Sequence, residues 1–224
     1  KRRGLGSETM QPHNMPFVII GAALLWFGWF GFNAGSALTS GGSATSAFVV
    51  TNIAAAMATL TWIGIDYQRK GKISGVGAAT GAIAGLATIT PAAGFVGPMP
   101  ALLIGLAAGT ICYFAVELKN KIQLDDSLDV FAIHGIGGML GLLAAGVFAG
   151  VGFLEFSDHV LPGISRGGQI IRQLGAIGAA AGWSLAGTVV ILYALKLTIG
   201  LRVSDDDEQT GLDSTQHGEA AYSD

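Results

Sequence analysis

The chain has 224 residues, 51% of them apolar and only 12% charged, with 35 glycines, a balance that does not suit a water-soluble domain. A net charge of −3 offers no basic patch for nucleic acid, and a lone cysteine, Cys112, excludes an intrachain disulfide framework and suggests no thiolate metal cluster. Apolar runs of roughly 20 residues without period-2 alternation point to membrane-crossing helices rather than a β-barrel.

Six spans are predicted. The segment before Pro16 is polar, begins with Lys1-Arg2-Arg3 and contains no apolar signal-peptide core. It reads as the interior of a loop. The first span runs from about Pro16 to Ala37, with Asn14 as a candidate cap and Pro16 in the opening turn. The second covers about Ala47 to Tyr67 and stops against Arg69-Lys70-Gly71-Lys72. The third runs from about Gly75 to Phe95, with Pro91 expected to bend it and free a backbone carbonyl. Gly77, Gly81 and Gly85 recur every four residues there, which lets a neighbouring helix approach closely. A turn at Gly97 and Pro98 leads to the fourth span, about Met99 to Leu118, closing on Lys119 and Lys121. The fifth begins near Leu128 and ends near Gly150, and the sixth covers about Gly168 to Ile199. The expected organisation is a loop over 1–15, a six-span bundle over 16–200 and a tail over 201–224. That tail is acidic and polar, a composition usual in disordered segments, although Leu212, Ala221 and Tyr222 would let it dock.

Loop charge sets the orientation, since Lys and Arg near span ends stay on the cytoplasmic side. Of 12 such residues, only Arg166 and Arg172 fall opposite Lys1, Arg2, Arg3, Arg69, Lys70, Lys72, Lys119, Lys121, Lys196 and Arg202 in a six-span drawing. Both ends of the chain are therefore expected inside the cell, in a plasma-membrane protein.

The chemistry centres on Asp125 to Gly135, where acidic residues lead into an apolar segment holding one imidazole. Asp126 as a cap and Asp129 in the first helical turn would complement the helix dipole, a better reading of these acids than a metal site. His134 then lies eight residues deeper, ~12 Å at ~1.5 Å per residue, near the middle of a ~30 Å hydrocarbon core. A buried structural histidine is the plain reading, but an ionisable group at that depth favours a place on a substrate path. Gly138, Gly141 and Ala145 continue its face as a smooth stripe, which leaves either a close helix contact or open space. The other histidines, His13, His159 and His217, have no metal-ligand spacing and are expected in solvent. Trp29, Phe32 and Ser36 share a face of the first span at i, i+3 and i+7. An interfacial aromatic belt accounts for the rings but not for Ser36 and Asn33 beside them; the pattern alone fits a belt and a pore equally, and the aromatic face suggests a cation-recruiting mouth. No phosphate loop, nucleophile elbow or zinc signature supports an enzyme or a resident cofactor.

The segments Gly31-Phe32-Asn33-Ala34-Gly35-Ser36, Ile89-Thr90-Pro91-Ala92, Asp129-Val130-Phe131-Ala132-Ile133-His134-Gly135 and Gly211-Leu212-Asp213 with His217-Gly218-Glu219 occur in this order. In them the chain closely resembles the later half, helices six to eleven, of bacterial or archaeal ammonium transporters of the Amt/Mep/Rh superfamily. The resemblance implies an all-α polytopic bundle, the second part of an eleven-helix inverted-repeat fold that assembles as a homotrimer with one conduit per protomer. It implies that His134 is one of two midpore histidines, Phe32 one of two gate phenylalanines, Trp29 a pore tryptophan and Ser36 a hydroxyl of the outer ammonium site. Asp126 and Asp129 resemble structural acids. Gly211, Asp213, His217, Gly218 and Glu219 resemble a regulatory tail, which in many members meets a PII-type signalling protein. Ammonium, ammonia or methylammonium is the implied cargo. The family's first half, with the partner histidine, is expected from a separate polypeptide or from the part of a longer chain that precedes Lys1. A sensor of the same fold, reporting ammonium through its tail, is the alternative.

Overall fold

The structure is a computed structural model that describes residues 5–6, 11–150 and 164–220. Lys1, Arg2, Arg3, His159, Ala221 and Tyr222, given charge, solvent or docking roles above, lie outside the described residues. Every regular element among the described residues is helical: α1 (Met15–Gly35), α2 (Gly42–Lys70), α3 (Gly75–Ile89), α4 (Pro98–Lys121), a π-helical segment (Phe131–Ile136) continuing into α5 (Gly137–Phe148), α6 (Arg166–Thr198), α7 (Asp205–Thr210) and a second π-helical turn (Asp213–His217). Five helices are long and apolar enough to cross a bilayer, taking the first π segment and α5 as one, and α3 is an apolar helix of 15 residues. The chain divides into two compact units, 1–177 and 178–224.

Within the first unit, α2 is the spine. A β-carbon placed on Gly85 of α3 would come within 2.6 Å of the Ala54 carbonyl oxygen, and one on Gly105 of α4 within 2.5 Å of the same atom. One turn along, β-carbons placed on Gly81 and Gly109 would lie 3.2 and 2.7 Å from the Ala58 carbonyl oxygen. The glycine repeat in α3 thus brings backbone onto backbone, as its spacing predicts, and α4 does the same from the other side. Without a hydrophobic force between helices in lipid, such close packing is a main source of their association.

One end of this sandwich is held by polar groups that the apolar run conceals. Asp66, fully buried on α2, accepts from Lys70 Nζ at 2.6 Å and from the Tyr113 hydroxyl at 3.2 Å. Its other carboxylate oxygen lies against Gly77, where a β-carbon would sit 2.3 Å away. Arg69 pairs with Glu117 of α4 at 3.1 Å. The α1 helix joins the spine through a stacked Phe30–Phe48 pair with centroids 4.1 Å apart, and through Asn33 Nδ2, which donates to Thr51 Oγ1 at 2.9 Å. Asn33 is therefore tied to α2 through its amide while it still borders, with Ser36, the cavity beside Phe32.

Several boundaries depart from expectation, and the second span already begins as a helix at Gly42 rather than at Ala47. The third span stops as a helix at Ile89 instead of running to Phe95, because Pro91 ends the helix rather than bending it, and the chain proceeds by turns through Ala92 and Phe95. The fifth begins its helical run at Val130 and ends at Phe148, since Ser127 and Leu128 form a turn. Lys119, counted above among the cytoplasmic span-end cations, is buried, with only 6% of its surface exposed.

In the second unit the tail is ordered into short turns. Ser204 Oγ accepts from Asp207 N–H at 3.1 Å, and Asp205, Asp206, Asp207 and Glu208 all fall in the first turn of α7, where a helix dipole favours acids. Arg202 pairs with Glu208. The π-helical turn Asp213–His217 follows and closes on Gly218 at φ 68°, with Glu219 N–H donating to the Asp213 carbonyl at 2.9 Å. The disorder suggested by composition is replaced by these local caps.

Candidate functional site

The histidine helix is launched by two aspartates with different tasks. Asp126 accepts from Val130 N–H at 3.0 Å and from Phe131 N–H at 2.8 Å, so its carboxylate satisfies two of the orphan amides at the helix start. Asp129 does not sit in a first turn. Its backbone is left-handed, φ 57°, its carbonyl accepts from Ile133 N–H at 2.9 Å, and its carboxylate pairs with Lys119 Nζ at 2.6 Å. The same ammonium donates to the Asp126 carbonyl at 2.6 Å. His134 therefore stands in the opening turns of its helix, four residues after Val130, so the depth counted from Asp126 is reduced to ~6 Å of helical rise.

The helix opens as a π segment from Phe131 to Ile136, with His134 inside it. Such wide turns concentrate at functional sites because they turn a side chain away from its ordinary direction. The His134 ring lies parallel to the Trp29 indole of α1, with centroids 6.3 Å apart and 10° between planes. Trp29 in turn meets Phe32 edge-on at 6.1 Å. These are favoured aromatic geometries. The three residues form one wall across two helices, as shared spacing on α1 suggested for two of them.

A residue without an assigned role in the sequence holds that wall in place. Trp29 Nε1 donates to Thr90 Oγ1 at 2.7 Å, and Thr90 Oγ1 donates to the Leu86 carbonyl at 2.7 Å. The indole is thus fixed from the end of α3. Its sequence signal is the hydroxyl beside Pro91, at the point where the helix ends.

Beyond Phe32 opens a cavity of about 760 Å³, lined among others by Phe32, Ser36, Thr90, Phe95, Arg166 and Gln173. Ser36 caps α1 with its hydroxyl turned back to the Phe32 carbonyl at 2.6 Å. Its lone pairs remain available to a donor in the cavity. Arg166 donates to the carbonyls of Val147 and Ala149, closing the end of α5. The smooth stripe beside His134 resolves into both alternatives: a β-carbon on Gly138 would meet nothing within 4 Å, whereas one on Gly141 would lie 2.0 Å from the Thr88 carbonyl oxygen. Gly138 borders open space and Gly141 is a helix contact. Among the described residues no three His, Cys, Asp or Glu side chains converge as a metal site.

Membrane-length apolar helices, with an imidazole and two aromatic rings in one wall and Phe32 of that wall bordering a cavity, define a multi-pass helical membrane protein. Its relatives narrow this class. Residues 1–222 match the model of the Ammonium Transporter Family. The chain is 45% identical over 227 residues to "Ammonium transporter Amt1" of Archaeoglobus fulgidus, covering 99% of this chain and 56% of that protein. It is 44% identical to an ammonium transporter of Bacillus subtilis, over 95% of this chain and 53% of the relative. Among solved structures, Saccharomyces cerevisiae Mep2 superposes with a TM-score of 0.76 at 38% identity, over 88% of this chain and 45% of that one. One described as "Sensor Amt Protein" gives a TM-score of 0.84 at 31% identity, over 94% and 51%. The chain belongs to the ammonium transporter family. It spans about half the length of the relatives it matches.

Proposed function

We propose that this chain forms one wall of an ammonium conduit, with His134, Trp29 and Phe32 lining the path and Ser36 at its outer mouth. The carrying observation is the parallel Trp29–His134 pair with Phe32 against its edge. Aromatic faces attract an ammonium ion by ~0.5–2 kcal/mol, which draws the cation in before it is stripped of water. An apolar path then disfavours the charged form, so ammonium passes its proton to water at the outer mouth and ammonia moves on. Neutral imidazole both donates and accepts, which suits it to guide that small solute, or a proton, without fixed charge.

In the same reading, residues 16–200 are the membrane domain and 201–224 a cytoplasmic tail. Both ends of the chain lie inside the cell, and helices supplied from outside this chain complete the conduit with a second histidine. Three such protomers assemble, and Gly211, Asp213, His217, Gly218 and Glu219 report to a PII-type protein. The coverage of only about half of each relative supports the need for a second half. Asp126 and Asp129 serve the helix start rather than the cargo.

The test is methylammonium uptake by the native protein in liposomes, compared with His134→Ala and His134→Glu. Uptake or the accompanying current should change in both. Native uptake and native current in both variants would remove His134 from the path. The superposition on "Sensor Amt Protein" favours a second reading, in which the same site binds ammonium and the tail signals occupancy. Ammonium-dependent movement of the tail without tracer uptake would select it.

A further inference from the structure

We infer that Lys119 is a positioning residue for His134, acting through Asp129. Lys119 lies in the last turn of α4 and is only 6% exposed, yet it carries an ammonium. That ammonium contacts Asp129 Oδ1 and the Asp126 carbonyl, both at 2.6 Å. Its two partners are the residues that open the histidine helix. The Asp126 carboxylate holds Val130 and Phe131 N–H, while the Asp129 carbonyl receives Ile133 N–H, one residue before His134.

A buried cation at this place is not explained by packing alone. Asp129 is held at φ 57°, a conformation that costs energy for a residue with a β-carbon, and strain of this kind persists only where the surroundings enforce it. Lys119 is the enforcing group, since its ion pair links the Asp129 side chain to the end of a neighbouring helix. The wide π turn follows directly, over Phe131–Ile136. If Asp129 relaxes to an ordinary backbone conformation, the extra residue of that turn can be absorbed and His134 rotates about the helix axis. Its parallel stacking on Trp29 then breaks. Lys119 thus sets the orientation of the imidazole from a neighbouring helix without touching cargo.

The inference rests on the conduit reading for its functional consequence, but not for its structural one. In the native protein reconstituted in liposomes, Lys119→Met is expected to lower the maximal rate of methylammonium uptake by about tenfold while leaving half-saturation within about twofold, because Ser36 and Phe32 are untouched. Lys119→Arg, which keeps the charge, should recover the rate to within about threefold. A second readout needs no transport: the ring-current shift of the His134 imidazole proton resonance, assigned by its loss in His134→Gln, should collapse in Lys119→Met and in Asp129→Asn and return in Lys119→Arg. Should Lys119→Met fail to fold, Asp129→Asn carries both measurements. A native rate with a native His134 resonance in either uncharged variant overturns the inference. An unchanged resonance with a lowered rate also overturns it, assigning Lys119 a merely structural part. Absence of uptake by the unsubstituted protein would instead count against the conduit reading, and the resonance would still decide the role of Lys119.

Discussion

Replacing Gly85 and Gly105 by alanine, singly and together, tests the α3–α2–α4 sandwich. The added methyl of Gly85→Ala would lie 2.6 Å from the Ala54 carbonyl oxygen and 2.7 Å from the Ala55 Cα, both backbone atoms that cannot rotate aside. Ordinary carbon contacts lie near ~3.5 Å, so the two helices must part by roughly 0.8 Å or distort. Overpacking of this kind costs about 1–3 kcal/mol, against a helix-propensity gain of ~0.5–1 kcal/mol for losing a mid-helix glycine. A net loss of about 1–2 kcal/mol is expected for each single variant, whereas Gly64→Ala, with nothing within 4 Å, should be neutral or stabilising. The double variant is more telling. Gly85 and Gly105 press on the same oxygen from opposite helices, at 2.6 and 2.5 Å, so either single clash is eased by sliding α2 towards the other helix. With both methyls present that escape is closed, and the double should lose about 1 kcal/mol beyond the sum of the singles. Unfolding titrations in mixed detergent, followed by helix content, measure all four. Additive singles, or a Gly85→Ala protein as stable as the native one, would refute the shared-atom geometry.

Two further variants probe the site from its supports. Asp126→Ala removes acceptors for Val130 and Phe131 N–H and should destabilise the protein by about 1–2 kcal/mol, read in the same titrations; an unchanged midpoint would show that water replaces the carboxylate at no cost. Thr90→Val keeps the volume but leaves the Trp29 indole N–H without its acceptor. It should lower methylammonium uptake several-fold while costing about 1–3 kcal/mol of stability, and native uptake would separate the indole's orientation from function.

The spans were legible because bilayer thickness imposes a length on apolar runs, and the glycine spacing of α3 announced a close helix contact before any partner was known. The boundaries that failed did so where backbone geometry, not hydropathy, decides. Apolar residues continue to Phe95, but Pro91 cannot extend the hydrogen-bond ladder; Leu128 is apolar, but the left-handed Asp129 keeps it out of the helix. At the site, Trp29, Phe32 and Ser36 could be grouped from spacing within one helix. His134 could not be joined to them by spacing, since Trp29 is on α1 and the parallel stacking arises only from tertiary packing. Thr90 is 61 residues from the indole it receives. Lys119 was read as a span-end cation because its partners lie beyond a turn that buries it, and nothing in the local charge pattern announces that closure. Asp66 was hidden for a similar reason, since the partners of its Oδ1 are Lys70 one turn on and Tyr113 on another helix.

The three helices pinned through Ala54 and Ala58 occupy one uninterrupted stretch of chain, from Gly42 to Lys121. Order of synthesis therefore coincides with order of contact: α3 can clasp the spine as soon as it is made, and α4 completes the clasp without waiting for any later segment. Contacts between neighbours in sequence form fastest, because little chain must be brought to heel before they are rewarded. The tight glycine seam is in this sense an early-setting joint, one that offers the arriving histidine helix a finished surface to dock against.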